Sequence, residues 1–227
     1  MEKLPINNLG DLKLMSEVEL KELASTIRNN IIETVSKTGG HLSSNLGIVD
    51  LTIALHKTFN SPKDKIIFDV SHQTYAHKML TGRIIDETTL RKYNGISGFA
   101  KKSESEHDAF EGGHSSTSIS ASLGIARANK LLGNNKRTVA VIGDGALTGG
   151  MAYEALNNAS QIEKNFIIVL NDNNMSISEN VGGMNMYLSN FRTADAYRDL
   201  KTGVMNSLHK VPVVGDKMVR SIRNAKS

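Results

Sequence analysis

Apolar residues in this chain follow two distinct rhythms. Across residues 16–37, Val18, Leu20, Leu23, Ile27, Ile31 and Val35 recur at helical spacing. Ser16 stands three positions before Glu19, the pattern of a capping box, and Thr38-Gly39-Gly40 supplies the stop. The second rhythm is the short unbroken run. Thr138-Val139-Ala140-Val141-Ile142 and Phe166-Ile167-Ile168-Val169-Leu170 are rich in β-branched residues and predict strands buried on both faces, as does the stretch 66–70. A helix predicted over 150–162 joins the two longer runs into a βαβ unit, so the class is α/β with parallel strands. Further helices are predicted over 45–59, 75–82, 86–93 and 116–132. Residues 95–113 have no period and mixed charge, as a mobile surface loop would. Beyond Ser176 the pattern weakens: 178–183 reads as a loop, and 193–226 as one or two exposed helices interrupted near Pro212.

Composition narrows the class of protein. The 227 residues can bury a substantial core, and no stretch approaches the ~20 apolar residues of a membrane span. No membrane partner is expected. The absence of cysteine rules out a disulfide framework and a thiolate zinc site, which fits a cytoplasmic location. The net charge of +4 is concentrated near the end of the chain, in Arg198, Lys201, Lys210, Lys217, Arg220, Arg223 and Lys226. Apart from Tyr197 no aromatic residue interleaves these charges, so a solvated face or linker is the plainer explanation and no nucleic-acid partner is expected.

The candidate chemistry begins where the strand runs end. Gly143-Asp144-Gly145 directly follows one, and Asn171-Asp172-Asn173-Asn174 directly follows the other. In an open α/β sheet both clusters lie at strand carboxyl ends, where ligands bind. Asp and Asn offer hard oxygen ligands suited to Mg²⁺, while glycines let a diphosphate approach the backbone beside a helix start. Gly143, Gly145 and Gly149 also form a GxGxxxG variant of the kind found in dinucleotide folds. A carboxylate between the first two glycines would repel a pyrophosphate unless a metal bridged them, which favours the metal-bridged alternative.

Three histidines occupy Gly- or Ser-rich settings: Gly39-Gly40-His41-Leu42-Ser43-Ser44, Asp69-Val70-Ser71-His72-Gln73 and Gly112-Gly113-His114-Ser115-Ser116. A single histidine is more often a hydrogen-bonded structural residue than a catalyst. Three in such settings suggest proton transfer or phosphate contact near neutral pH. His56, His107 and His209 lack these settings and are taken as ordinary. The Ser115-Ser116-Thr117-Ser118 run is also what a helix cap looks like, and the two roles are compatible.

The spacing of 29 positions from Asp144 to Asn173 resembles the diphosphate-binding signature of thiamine-diphosphate enzymes. The segments GGHLSSNLGIVDLTIALH, FDVSHQTYAHKMLTGR, GGHSSTSISASLGIA, GDGALTGGMAYEALNNA and LNDNNMSISENVG resemble, in order, the 1-deoxy-D-xylulose-5-phosphate synthase family. Transketolases share the GDG…N logic and the histidine of GGH, but not DVSHQTYAHKMLTGR or NDNNMSIS. The resemblance implies a three-layer α/β/α fold with a mostly parallel sheet that grips the cofactor's diphosphate. It implies thiamine diphosphate and Mg²⁺ as cofactors, pyruvate and glyceraldehyde 3-phosphate as substrates, and a homodimer. Carried over by residue, Asp144, Asn173 and the Met175 carbonyl would bind the metal. Gly145 and Ala146 would contact the diphosphate through their backbone, and His72, Gly113, His114 and Ser115 match further cofactor-contacting positions. His41 matches a histidine that moves a proton or binds substrate at the reacting carbon. Lys78 and Arg83 lie in a matching segment without an assigned role, and packing is the expected role of His77.

The resemblance covers the first third of the family's usual length. It leads us to expect a diphosphate- and metal-binding domain over 1–190 and a basic helical extension over 191–227, with the pyrimidine-gripping domain supplied elsewhere. The glutamate that activates the cofactor would come from that domain, since Glu154, Glu163 and Glu179 have no motif context for it. The expectation is a chain inactive alone. The alternatives are one subunit of a two-chain transketolase-like enzyme and a non-catalytic binding module.

Overall fold

The computed structural model describes residues 2–160 and 165–172. A short helix, α1 (Leu9–Leu14), and the long α2 (Glu17–Thr38) lead into α3 (Leu42–Leu46) and α4 (Val49–Thr58). Strand β1 (Lys65–Phe68) is followed by α5 (Tyr75–Leu80), a long loop and α6 (Ser118–Leu131). Then come β2 (Thr138–Gly143), α7 (Asp144–Leu147), α8 (Gly150–Ala159) and β3 (Phe166–Asn171). Among the described residues the strands form one parallel sheet in the order β1-β2-β3, with Phe68 level with Val141 and Gly143 level with Asn171. Their carboxyl ends therefore point the same way. The segments after them, beginning at Asp69, Asp144 and Asp172, emerge side by side.

Alternation along β2 explains the layers. Val139 and Val141 face one side, where they pack with Ile66 and Phe68 of β1 and with Ile48, Leu55 and Phe59 of the α4 segment. Ala140 and Ile142 face the other, against Ile119 of α6 and Ala152 and Ala155 of α8. Each fully buried Val or Ile here contributes roughly 1.5–3 kcal/mol, which is why a strand covered on both faces reads as an unbroken apolar run. The expected three-layer α/β/α arrangement is met by these helices on opposite faces. Helix α4 has two apolar stripes. Ile48, Leu51, Leu55 and Phe59 meet the sheet, while Val49 and Ile53 join a second core with Leu12, with Leu23, Ile27 and Ile31 of α2, and with Tyr75 and Leu80 of α5. No described helix is long and apolar enough to cross a membrane.

The expected helix over 16–37 is α2, and its capping box forms: the Ser16 hydroxyl accepts from Glu19 N–H while the Glu19 carboxylate accepts from Ser16 N–H at 2.7 Å. Val18, expected on its apolar face, is 66% exposed. Two other elements differ from expectation. The helix predicted over 45–59 is broken at Gly47 and Ile48: Ile48 N–H bonds the Asn45 carbonyl three residues back and Ile48 leaves the helical region, while the Asn45 side chain bonds the His41 and His72 carbonyls. The helix predicted over 86–93 is a set of turns. The Asp86 carboxylate accepts from Thr88 and Thr89 N–H, and Arg91 and Asn94 adopt positive φ, so local side-chain bonds displace the helical ones. Asn173, Met175, Glu163, Glu179 and the boundary expected near 190 lie outside the described residues.

Ser16→Ala is expected to lower unfolding free energy by about 1 kcal/mol, as loss of a helix cap does. Val18→Ala, in the same turn but exposed, should change it by no more than about 0.5 kcal/mol. Urea unfolding of both variants checks this, and equal midpoints would show that the capping box contributes nothing.

Candidate functional site

The site is built from loops that leave the carboxyl ends of β1 and β2 and from the turn before α3. Immediately after β1 the chain makes a tight γ-turn. Ser71 N–H donates to the Asp69 carbonyl at 2.5 Å, with φ of 57° at Val70 and 68° at Ser71. Two consecutive non-glycine residues in that region cost on the order of 1–3 kcal/mol each. The strain is held by its surroundings. Asp69 N–H stays in the sheet, donating to the Val141 carbonyl, and the Ser71 hydroxyl accepts from Ala100 N–H. Gly112 packs so closely that a Cβ there would stand 2.5 Å from the Val70 carbonyl oxygen, so only glycine fits.

Three side chains tie the candidate loops together. Buried Asn45 donates to the carbonyls of His41 and His72 at 2.7 and 2.9 Å and accepts from Tyr75 N–H. Buried Asp69 accepts from Ser116 and Ser118 N–H at 2.7 and 2.9 Å, so a carboxylate from β1 caps α6. The cap expected from the serine run itself is absent; Thr117 sits at the cap position without a side-chain cap bond. Ser116, with φ of 69°, turns its hydroxyl outward to donate to the Ala146 carbonyl at 2.6 Å. Asn45 thus links the His41 turn to the His72 loop, Asp69 links that loop to the His114 loop, and Ser116 links the last to the Gly143-Asp144-Gly145 turn. The motifs mark these positions, but residue type alone does not show which side chain reaches which loop.

His41, at the start of α3, is half-buried and meets the His72 ring edge-on, with centroids 5.1 Å apart. Phe99 meets His41 in the same manner at 5.7 Å. Burial lowers the pKa of His41, and nearby Arg91 lowers it further. Burial also lowers His72, helped by His41 and opposed by Asp69. Both imidazoles are therefore neutral near pH 7 and able to accept a proton. The Nδ1 atoms of both are buried without a hydrogen-bond partner among the described residues. Gly40 completes this wall: with φ of 137° it lies against Tyr75, whose hydroxyl oxygen a Cβ would approach to 2.7 Å.

The remaining expected residues are more open. Gly113, His114, Ser115 and Gly145 are exposed, while Asp144 and Ala146 are half-buried. His114 Nδ1–H donates to the Ser115 carbonyl at 2.8 Å, leaving Nε2 as the ring's accepting nitrogen. Asp144 begins α7 at the carboxyl end of β2, one residue beyond the pair Gly143 and Asn171. The described residues hold no group of three or more His, Cys, Asp or Glu able to ligate a metal. The expected ligand set contains one carboxylate, with an amide and a carbonyl outside the described residues. A half-buried carboxylate at a strand end fits a hard divalent cation that also takes phosphate and water oxygens.

Sequence reasoning missed a second polar system behind α5. Lys78, fully buried, donates to Glu104 at 2.5 Å. Arg83 binds the buried Asp108 carboxylate through both terminal nitrogens, at 2.7 and 2.8 Å. His77 Nε2 lies 2.9 Å from Asp108, and His77 Nδ1 lies 2.8 Å from His56 Nε2. Burial opposes the charge on Asp108, but bonds from His77 and Arg83 prevail and hold it well below the usual carboxylate range. An ionised Asp108 only accepts, so His77 carries its proton on Nε2 and receives the His56 Nε2–H. His56 Nδ1 is left bare, and it is without a partner among the described residues. His56, taken as ordinary from its setting, is thus one end of a buried relay. The alternation of polar and apolar residues around it carries no such signal.

Burial pushes both relay histidines below their ordinary value, His56 well below. The unfolded chain then binds more protons as pH falls through about 6.5, so stability is complete above that value and is lost toward lower pH. Thermal unfolding should give a lower Tm at about pH 5.5 than at about pH 7.5, above the range where carboxylates protonate. His77→Gln keeps a donor for Asp108 and an acceptor for His56, and should narrow that difference. An unchanged acid sensitivity would show that the relay is not its source.

Residues 4–227 match the family model described as 1-deoxy-D-xylulose-5-phosphate synthase. The chain is 54% identical over 223 residues to a 1-deoxy-D-xylulose-5-phosphate synthase of Alkaliphilus oremlandii, covering 98% of this chain and 36% of that protein. It is 55% identical over 221 residues to the protein of that name from Lachnoclostridium phytofermentans, covering 97% and 35% respectively. With the Geobacillus sp. protein it shares 53% identity over 226 residues, covering 100% and 36%. The chain therefore spans about a third of the length of the curated relatives it matches.

Proposed function

The chain belongs to the 1-deoxy-D-xylulose-5-phosphate synthase family, and on that premise we propose that it forms the diphosphate-anchoring part of an enzyme joining pyruvate to D-glyceraldehyde 3-phosphate. Carbon dioxide is released and 1-deoxy-D-xylulose 5-phosphate is formed. Thiamine diphosphate and Mg²⁺ are the cofactors in this reading, the working form is a cytoplasmic homodimer, and the pyrimidine ring is held by protein outside these residues. When bound, thiamine diphosphate supplies the electron sink needed to break the bond between the pyruvate carbonyl carbon and its carboxylate.

The chain's own residues have separable tasks. Asp144 holds the metal, with Asn173 and the Met175 carbonyl. Gly145 and Ala146 present backbone N–H groups of a first helical turn, which have no acceptor within the helix. The hydroxyl of Ser116 on the Ala146 carbonyl keeps that turn in one orientation. His72, Gly113, His114 and Ser115 line the anchor. His41, neutral because it is buried beside Arg91, accepts or returns a proton at the reacting carbon. Anchoring a remote diphosphate is how binding energy positions a reacting atom elsewhere. The observation that supports the whole reading is the bridging of these loops by Asn45, Asp69 and Ser116 at the strand ends.

Asp144→Ala should weaken Mg²⁺-dependent thiamine diphosphate binding by more than about 100-fold, beyond what loss of an outer-shell partner costs. The far-UV spectrum should be unchanged, because the side chain lies at a strand end and not in either core. Calorimetric titration on protein that includes the following region checks it. Unchanged Mg²⁺ dependence there would remove Asp144 from the site.

A further inference from the structure

We propose that Asp108 and Glu104 are positioning residues, holding Phe99 against His41 by clamping residues 97–108 onto the buried cations Lys78 and Arg83. The inference deepens the proposed role of His41 and rests on it for its functional meaning. Phe99 sits in a stretch tied down on both sides. Ser97 N–H donates to Glu104 at 2.7 Å, Ala100 N–H to the Ser71 hydroxyl at 3.0 Å, and Lys101 N–H to Asp108 at 2.8 Å. Phe99 N–H itself donates to the Ser97 hydroxyl. The two carboxylates are in turn immobilised from the core side. Glu104 receives Lys78, and Asp108 receives Arg83 twice and His77 once.

The chemistry of the clamp is unlike that of a surface loop. Residues 95–113 were expected to be mobile from their mixed charge, yet Asp108 is buried and Glu104 lies against a lysine with no exposed surface. A buried carboxylate is stable only when its oxygens are taken up by donors, and here the loop's backbone N–H groups share them with the cations. Each carboxylate therefore reads both partners at once. Moving residues 97–101 would strip a donor from a buried charge. The aromatic ring that the clamp delivers covers one side of His41, while His72 covers another. Part of the burial that keeps His41 neutral is thus contributed from a loop, and set by carboxylates that act on it through Phe99.

The test reads His41 directly. Histidine ring signals of the full chain are followed by NMR through a pH titration, for the unsubstituted protein and for Phe99→Leu, Asp108→Asn and Glu104→Ala. Phe99→Leu defines the spectrum of His41 without its aromatic neighbour. Asp108→Asn and Glu104→Ala are expected to move the His41 signals toward that spectrum and to raise its titration midpoint, because less burial opposes the charged form. Folded variants whose His41 signals and midpoint stay unchanged would overturn the proposal. Breaking a buried ion pair from one side can unfold a protein, so the unsubstituted chain provides a second measurement. The amide protons of Ser97, Ala100 and Lys101 should exchange as slowly as those of α5. Exchange as fast as at exposed Lys92 would equally overturn the clamp. Both readouts are independent of turnover. If His41 responds as expected but His41→Ala in the longer enzyme keeps full activity, the positioning stands and the catalytic reading of His41 fails.

Discussion

The arrangement at the strand ends depends on one buried carboxylate. Asp69 is 1% exposed, and an ion so placed would be costly without hydrogen bonds to each oxygen. It finds them in the N–H of Ser116, just before α6, and of Ser118, its first residue, where the helix dipole also favours negative charge. The exchange is mutual: the helix start, which lacks a cap of its own, is completed by a side chain from the sheet. Because Asp69 N–H remains in the β1–β2 ladder, the carboxylate cannot move without disturbing the strands. The start of α6 is therefore registered to the sheet. That registration brings Ser116 within reach of the Ala146 carbonyl, and with it the turn that carries Asp144. The γ-turn strain at Val70 and Ser71 follows from the same commitment, since the chain must leave the sheet within one residue of the cap.

Sheet and helices were legible in the sequence to the extent that burial alone determines them. The run at 138–142 is covered on both faces, as its unbroken apolar pattern predicts, whereas the run at 166–170, read the same way, pairs as a parallel strand but leaves Ile167 and Leu170 exposed. The capping box at Ser16 was legible because its chemistry is local, confined to residues three apart. Errors came where a side chain bonds over a distance the pattern does not encode. Asn45 sits in what reads as continuous helix, yet its amide serves His41, His72 and Tyr75 and the helix breaks after it. Asp86 bonds its own turn instead of continuing a helix. The loop over 95–113 read as solvated because its charges are mixed. In the fold, the opposite charges that neutralise Glu104 and Asp108 come from α5 and the residues after it, 25 and 26 positions earlier.

The candidate site shows the same division. Motifs marked His41, His72, His114 and Asp144 because glycine- or serine-rich surroundings flag close approach, and the fold puts the three histidines in loops that Asn45 and Asp69 join, while Ser116 ties them to the turn of Asp144. No motif distinguished those three linking side chains from their neighbours, because their value lies in what they reach. Phe99 was equally unmarked: a lone aromatic in an aperiodic loop carries no pattern of its own.

Two pairs of histidines in this chain illustrate how environment divides labour among identical side chains. His56 and His77 are sealed and hydrogen-bonded in series to an ionised Asp108, so their tautomers are set and every donor is used. Such a relay is suited to structure, and burial of both rings opposes their protonation in the folded chain. His41 and His72 meet edge-on, half-buried, with Nδ1 atoms that no described residue engages. Burial holds both rings toward the neutral form. Asp69 is the carboxylate that acts on His72, and its influence ranks behind both burial and His41. Its oxygens are already occupied by Ser116 and Ser118 N–H at the start of α6, so it is not free to turn toward the imidazole. The cap that registers the helix therefore also helps to leave the His72 ring neutral. An Asp69 released from α6 would gain freedom to pair with His72, and that pairing would favour the charged form of the ring, which burial now opposes.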